Sequence, residues 1–286
     1  MSGPDSTPPP EQPTPIFSAP PAPTSEDSQL LKFPEDIRTR WGWKDILIFV
    51  VVTIGMTFAV GLAAVIISVA TGHSVQALQN SVREKALFAV IATAIVSLAQ
   101  LAFFYFFIGR EDGQSFWWAL GWRSLRSGDR RLRFGPAAYI AGGCVFAVVI
   151  GFASKLAGEP HGMPIEIFMH DRLNAALFLI LGITMAPLVE ETIFRGFLYP
   201  VAARSFGVAG SVIFTGLLFG LLHGPQLGGA WIQTGLLVLV GIVFTFVRAK
   251  SRTVLASYLF HLGYNGWLFI AFLVGTHFLK NLPVPQ

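Results

Sequence analysis

The chain has 286 residues, 53% hydrophobic and 13% charged, with a formal net charge of +4. A mean hydropathy of +0.61 excludes an ordinary soluble domain, and the basic excess (sequence pI about 9.4) then reads as the charge asymmetry of a membrane protein rather than as nucleic-acid binding. The single cysteine, Cys144, excludes an internal disulfide and a cysteine-rich metal centre.

In chain order, residues 1–44 are expected to form a Pro-rich cytoplasmic tail. Its first 29 residues are dominated by Pro, Ser and Thr, cannot bury a core, and are expected to be disordered. Residues 45–286 are expected to be one integral-membrane helical domain. Seven stretches approach the roughly 20 apolar residues that a membrane span needs. They lie near 46–71, 86–109, 134–153, 174–199, 206–223, 229–247 and 253–278. Backbone groups in lipid must be satisfied within the segment, so each is expected to be a helix. The fold class is an all-α membrane protein, a polytopic bundle of about seven transmembrane helices.

Cations in the connections set the orientation. With the N-terminus inside, fourteen Lys and Arg fall on the inner side, five on the outer, and the twentieth, Arg195, lies within a span. The N-terminus is therefore expected to be cytoplasmic. The connection from Ser115 to Phe134 carries Trp117, Trp118 and Trp122 beside its arginines and reads as a segment on the cytoplasmic interface. His161, Glu166 and His170 share one outer loop, match no zinc-binding helix spacing, and read as solvated surface.

Polar side chains inside the spans are few, which gives each one weight. Glu190 and Glu191 are adjacent, and even one carboxylate at mid-span costs roughly 2.5–3.5 kcal/mol on insertion scales. Glu191 and Arg195 are four apart, so they share a helix face and can pair, while Glu190 points about 100° away. Pro187 can kink the helix beside them. The fifth stretch ends Phe219-Gly-Leu-Leu-His223, and the seventh contains His261-Leu-Gly-Tyr-Asn265. Taken singly, a Glu–Arg pair is as readily structural, a histidine near a helix end interfacial, and an intramembrane Asn a bond between helices. Together, on alternate passes, the six could line one cavity.

The ordered set Glu190-Glu191-x-x-x-Arg195, Phe219-x-x-x-His223 and His261-x-x-x-Asn265 resembles the CPBP family. These are the CAAX-protease and bacteriocin-processing (Abi) intramembrane peptidases, including the Rce1-type prenyl proteases. The resemblance covers about residues 174–266. Relatives often have eight spans, which makes eight the alternative count. The resemblance implies an endopeptidase acting on a membrane-associated or lipidated, CAAX-like protein substrate in the bilayer.

Amide hydrolysis needs a water nucleophile, a base, and donors for the oxyanion. Glu190 is the candidate base, since a poorly solvated carboxylate is a stronger base than an exposed one. His223 can hold the same water, and His261 and Asn265 can donate to the oxyanion. Glu191 and Arg195 are assigned to support. The rival is a metalloendopeptidase, with zinc held by Glu190, His223 and His261. The metal-free form is favoured, chiefly from the resemblance, and no cofactor is expected. Two other classes stay open: a catalytically idle member acting as a membrane scaffold or immunity protein, and a transporter using the same residue types. No nucleic-acid partner is expected.

Overall fold

The computed structural model describes residues 30–72, 81–108, 115–125, 134–158 and 163–283, and among these it is all-helical. The helices are α1 (Trp43–Ala70), α2 (Val82–Ile108), the short α3 (Phe116–Ala119), α4 (Pro136–Leu156), α5 (Arg172–Ile183), α6 (Met185–Glu191), α7 (Tyr199–His223), α8 (Trp231–Ser251) and α9 (Val254–Gly275). A π-helical turn, Thr192–Leu198, joins α6 to α7. Their starts follow local chemistry. Asp171 caps α5 by accepting from the amides of Leu173 and Asn174, Thr253 caps α9 through Leu255, and Pro136 opens α4. Helix α1 is apolar on every side, yet only Phe49 and Ser68 of it are buried, the pattern of a helix solvated by lipid.

Six helical runs among the described residues are long and apolar enough to cross a membrane. One of them, Arg172–Leu227, has 56 residues. It is not straight. Gly207 has φ 70° and ψ 170°, a conformation outside the helix and essentially reserved for glycine. Phe194 and Phe219 would stand about 37 Å apart on a straight helix, yet their ring centroids are 5.2 Å apart. The run is a hairpin whose limbs are the two stretches expected at 174–199 and 206–223. The sequence reading placed the break between the stretches, from 199 to 206, a gap that Pro200 opens. Pro200 instead sits in the first turn of α7, where a missing N–H is tolerated, and the chain reverses seven residues later.

Residues 1–29 of the expected tail lie outside the described residues. Residues 30–42, counted with that tail, pack against the helices. In this strap Ile37 and Trp41 are buried. Arg204 donates to the carbonyls of Ile37, Thr39 and Trp41 and to the Thr39 hydroxyl. Arg248, fully buried, pairs with Asp36 at 3.0 Å, and Arg123 pairs with Glu35 at 3.0 Å. A few apolar anchors among polar neighbours give no run for periodicity to detect, and the cations that hold them lie 88 or more residues away.

Two glycine contacts position the remaining site helices. A Cβ on Gly216 or Gly220 would run into the backbone of Ile242 or Val238, so the second hairpin limb lies directly on α8. A Cβ on Gly143 or Gly263 would strike the carbonyl of Phe260 or Ile140, which fixes α4 against α9. Small residues let helix backbones approach this closely in lipid, where no hydrophobic force drives helices together.

Candidate active site

The hairpin explains why Glu190 and His223 meet. Glu190 lies seventeen residues before Gly207 and His223 sixteen after it, so equal limbs bring them level. Glu190 Oε1 is 3.7 Å from His223 Nε2. From α9, His261 Nε2 comes to 3.7 Å from the other oxygen, Oε2. Glu190 thus stands between two imidazoles and keeps 25% exposure, while Glu191 and Arg195 have none.

Depth agrees across the helices. Val254 N–H donates to Gly121 O of the Trp-rich segment, and His261 is seven residues further along α9, roughly 10 Å. Arg248, against the same glycine, lies over the Tyr199 ring, and Glu190 precedes Tyr199 by nine residues, roughly 13 Å. The first limb continues to Phe206, which moves the turn and brings His223 to the level of Glu190.

The tautomers follow from the partners. His223 Nδ1 is 2.6 Å from Phe219 O, which can only accept. Nδ1 therefore carries the proton, and the neutral ring offers Glu190 a bare Nε2. His261 Nδ1 lies 3.0 Å from Glu191 Oε1, so with Glu191 ionised its neutral ring also turns a bare Nε2 toward Glu190. Glu191 Oε1 receives Arg195 as well, at 3.0 Å. Arg195 then donates to Gly241 O at 3.0 Å, with its guanidinium 4.6 Å above the Phe219 ring. Phe219 therefore serves twice, stacking under Arg195 and orienting His223, which gives Phe-x-x-x-His its physical sense.

Sequence reasoning placed Glu191 with Arg195 but missed its bond to His261. No spacing signals a contact between residues seventy apart on different helices. Asn265 makes the bond to a neighbouring helix that an intramembrane Asn commonly makes: its Nδ2 donates to Gly182 O at the end of α5, at 2.9 Å. One of its two amide hydrogens is thereby engaged, leaving the other for a further acceptor. Of the loop residues read as surface, His161 lies outside the described residues, Glu166 is in the 3₁₀ turn Pro164–Met169, and His170 contacts Pro283 O at 2.9 Å. Two bare Nε2 atoms and a carboxylate are donor types that suit zinc. Among the described residues, however, no group of three or more His, Cys, Asp or Glu side chains is arranged to hold a metal ion.

Residues 172–267 match a family model described as type II CAAX prenyl endopeptidase Rce1-like. The segment carrying the site is Rce1-like. Its limits fall within two residues of the 174–266 expected from the three motifs, and Glu190, Glu191, Arg195, His223, His261 and Asn265 all lie inside it. No curated protein and no solved structure matches the chain. The Rce1-like segment and the six apolar helical runs together make this a polytopic integral membrane protein.

Proposed function

We propose that the protein is an intramembrane endopeptidase of Rce1 type, hydrolysing a peptide bond in a membrane-associated or lipidated protein through a Glu190-activated water. The observation that carries this reading is the Glu190 carboxylate, one quarter exposed, facing two imidazole Nε2 atoms at 3.7 Å each. Those separations are too long for direct hydrogen bonds and suit a shared water. A water between Glu190 and His223 gives up a proton to Glu190 as its oxygen attacks the scissile carbonyl carbon. The carbonyl oxygen gains the negative charge and is met by the free Asn265 amide hydrogen, and by His261 Nε2 when that ring is doubly protonated. Collapse breaks the C–N bond, and the proton held by Glu190 passes to the leaving amine. Glu191 and Arg195 hold His261 in place. No step passes through a metal.

The test is cleavage of a fluorogenic farnesylated peptide ending in a CAAX sequence, with an unprenylated copy alongside, by detergent-purified protein. Glu190→Gln keeps the shape and removes the base. It should fold normally and lose about 10²–10⁴-fold in rate. Near-native turnover by the folded variant would reject Glu190 as the base. A native protein that cleaves neither peptide would favour the scaffold reading.

A further inference from the structure

The π turn between α6 and α7 is gripped from outside by two indoles. Trp41 Nε1 donates to Phe197 O at 2.9 Å, and its ring stacks on Phe197 with centroids 5.6 Å apart and planes at 28°. Trp122 Nε1 donates to Thr192 Oγ1 at 3.2 Å, and Thr192 passes its own proton to Leu188 O at 2.7 Å. The turn runs from Thr192 to Leu198, so the two bonds fall near its opposite ends. Between them Gly196 lies against the 116–123 segment, where a Cβ would come within 2.7 Å of Leu120 O. Neither tryptophan belongs to the Rce1-like segment 172–267. Trp41 is carried by the strap that Arg204 holds, and Trp122 by the segment tied to α9 through Gly121 O and Val254 N.

A π turn needs such a grip. Tyr199 N–H reaches back five residues to Phe194 O, and Pro200 has no N–H to offer, so carbonyls in this stretch are short of intrahelical donors. Moving the wide turn by one residue exchanges one set of backbone bonds for an equivalent set. It also rotates the residues within it by about 100°. Arg195 sits in the turn, so that rotation would take it off Glu191 and remove one of the two donors that hold the carboxylate on His261.

We propose that Trp41 and Trp122 are positioning residues: their indole N–H groups pin the π turn in its register and thereby keep the Arg195–Glu191–His261 chain assembled. Its consequence for rate rests on the hydrolytic reading above; the pinning itself does not. The experiment uses the full chain in detergent, with Trp41→Phe, Trp122→Phe and the double variant, each keeping an aromatic ring and losing the N–H. Hydrogen–deuterium exchange is followed by mass spectrometry on peptides covering 188–203, with α4 peptides as the internal reference, beside kinetics on the farnesylated reporter. Each single variant should exchange faster in 188–203 alone. The unfolding midpoint should stay near native, and kcat should fall about tenfold to 10²-fold with KM unchanged, as expected of a small misplacement. Unchanged exchange in 188–203 overturns the proposal. So does exchange that rises equally in every helix as the midpoint drops, the mark of a merely structural role. If the phenylalanine variants do not fold, Arg204→Lys keeps both indoles and loosens the strap; it should show the same local exchange, and no change there also overturns the proposal. A native chain that cleaves nothing sinks the hydrolytic reading alone, because the exchange measurement still decides the pinning.

Discussion

Glu191 Oε1 receives both Arg195 and His261 at 3.0 Å, and the carboxylate has no exposure to anything but protein. Truncation at this position leaves a guanidinium unpaired among Phe194, Phe219 and Phe244, and leaves His261 without its Nδ1 partner. Glu191→Ala should therefore lower stability by about 3–5 kcal/mol, the range for breaking a buried pair. It should also lower the activity of whatever remains folded. Thermal unfolding in detergent, paired with turnover per folded molecule, separates the two losses. Full activity per folded molecule would show that the Glu191–His261 bond is incidental to turnover. His261 itself divides the metal-free and zinc readings. As an oxyanion donor, its loss in His261→Ala should cost about 10²–10³ in rate and leave metal content unchanged. Stoichiometric zinc in active native protein, lost together with activity in His261→Ala, would overturn the metal-free reading. At this scale the sequence was legible wherever partners share a helix, as Glu191 and Arg195 do. It was silent where geometry turns a residue toward another helix, as with the Gly182 carbonyl that Asn265 bonds.

The elements were legible by length and hydrophobicity, and their ends were not. Apolar runs announced the spans because lipid demands them, but lipid does not mark where a helix reverses inside the protein. Gly207 is one of 29 glycines, and nothing in its neighbourhood, Ser205-Phe206-Gly207-Val208, distinguishes a turn from continued helix. Its positive φ identifies it only once the hairpin is seen. A β-carbon at Gly207 meets no neighbour within 4 Å, so the cost of Gly207→Ala is backbone strain alone, about 1–3 kcal/mol for a residue forced into this region. The expected result is a lower unfolding midpoint. A straightening of the turn would also slide one limb past the other, and the level pairing of Glu190 with His223 would be lost. Gly207→Ala should therefore reduce turnover more than the loss of folded protein explains. A variant with native midpoint and native turnover would show that the reversal does not depend on the glycine.

The basic side chains that contact the strap collect at one end of the molecule. Arg204 at the hairpin tip, Arg248 at the end of α8 and Arg123 beside α3 all bond to residues 35–41, which precede α1. If the N-terminus is cytoplasmic, this end faces inward, Lys250 lies on the inner side, and Lys155 at the far end of α4 faces outward. Both lysines are exposed, so a cysteine at either is reachable from its own side. The only native cysteine, Cys144, can be replaced by serine to give a silent background. In intact cells a membrane-impermeant maleimide should label Lys155→Cys and spare Lys250→Cys, and lysis should make both reactive. The opposite pattern would invert the molecule. It would also turn the strap, the Trp-rich segment and the end nearest Glu190 away from the cytoplasm, so that a substrate would have to approach the site from the other face of the membrane. With the expected pattern, Glu190 and His261 lie roughly 10–13 Å beneath the cytoplasmic Trp-rich segment, a depth that a lipid-anchored peptide reaches by dipping from the surface rather than by spanning the bilayer. Labelling of both cysteines in intact cells would mean a mixed topology and would remove the positive-inside asymmetry as the force that orients the chain.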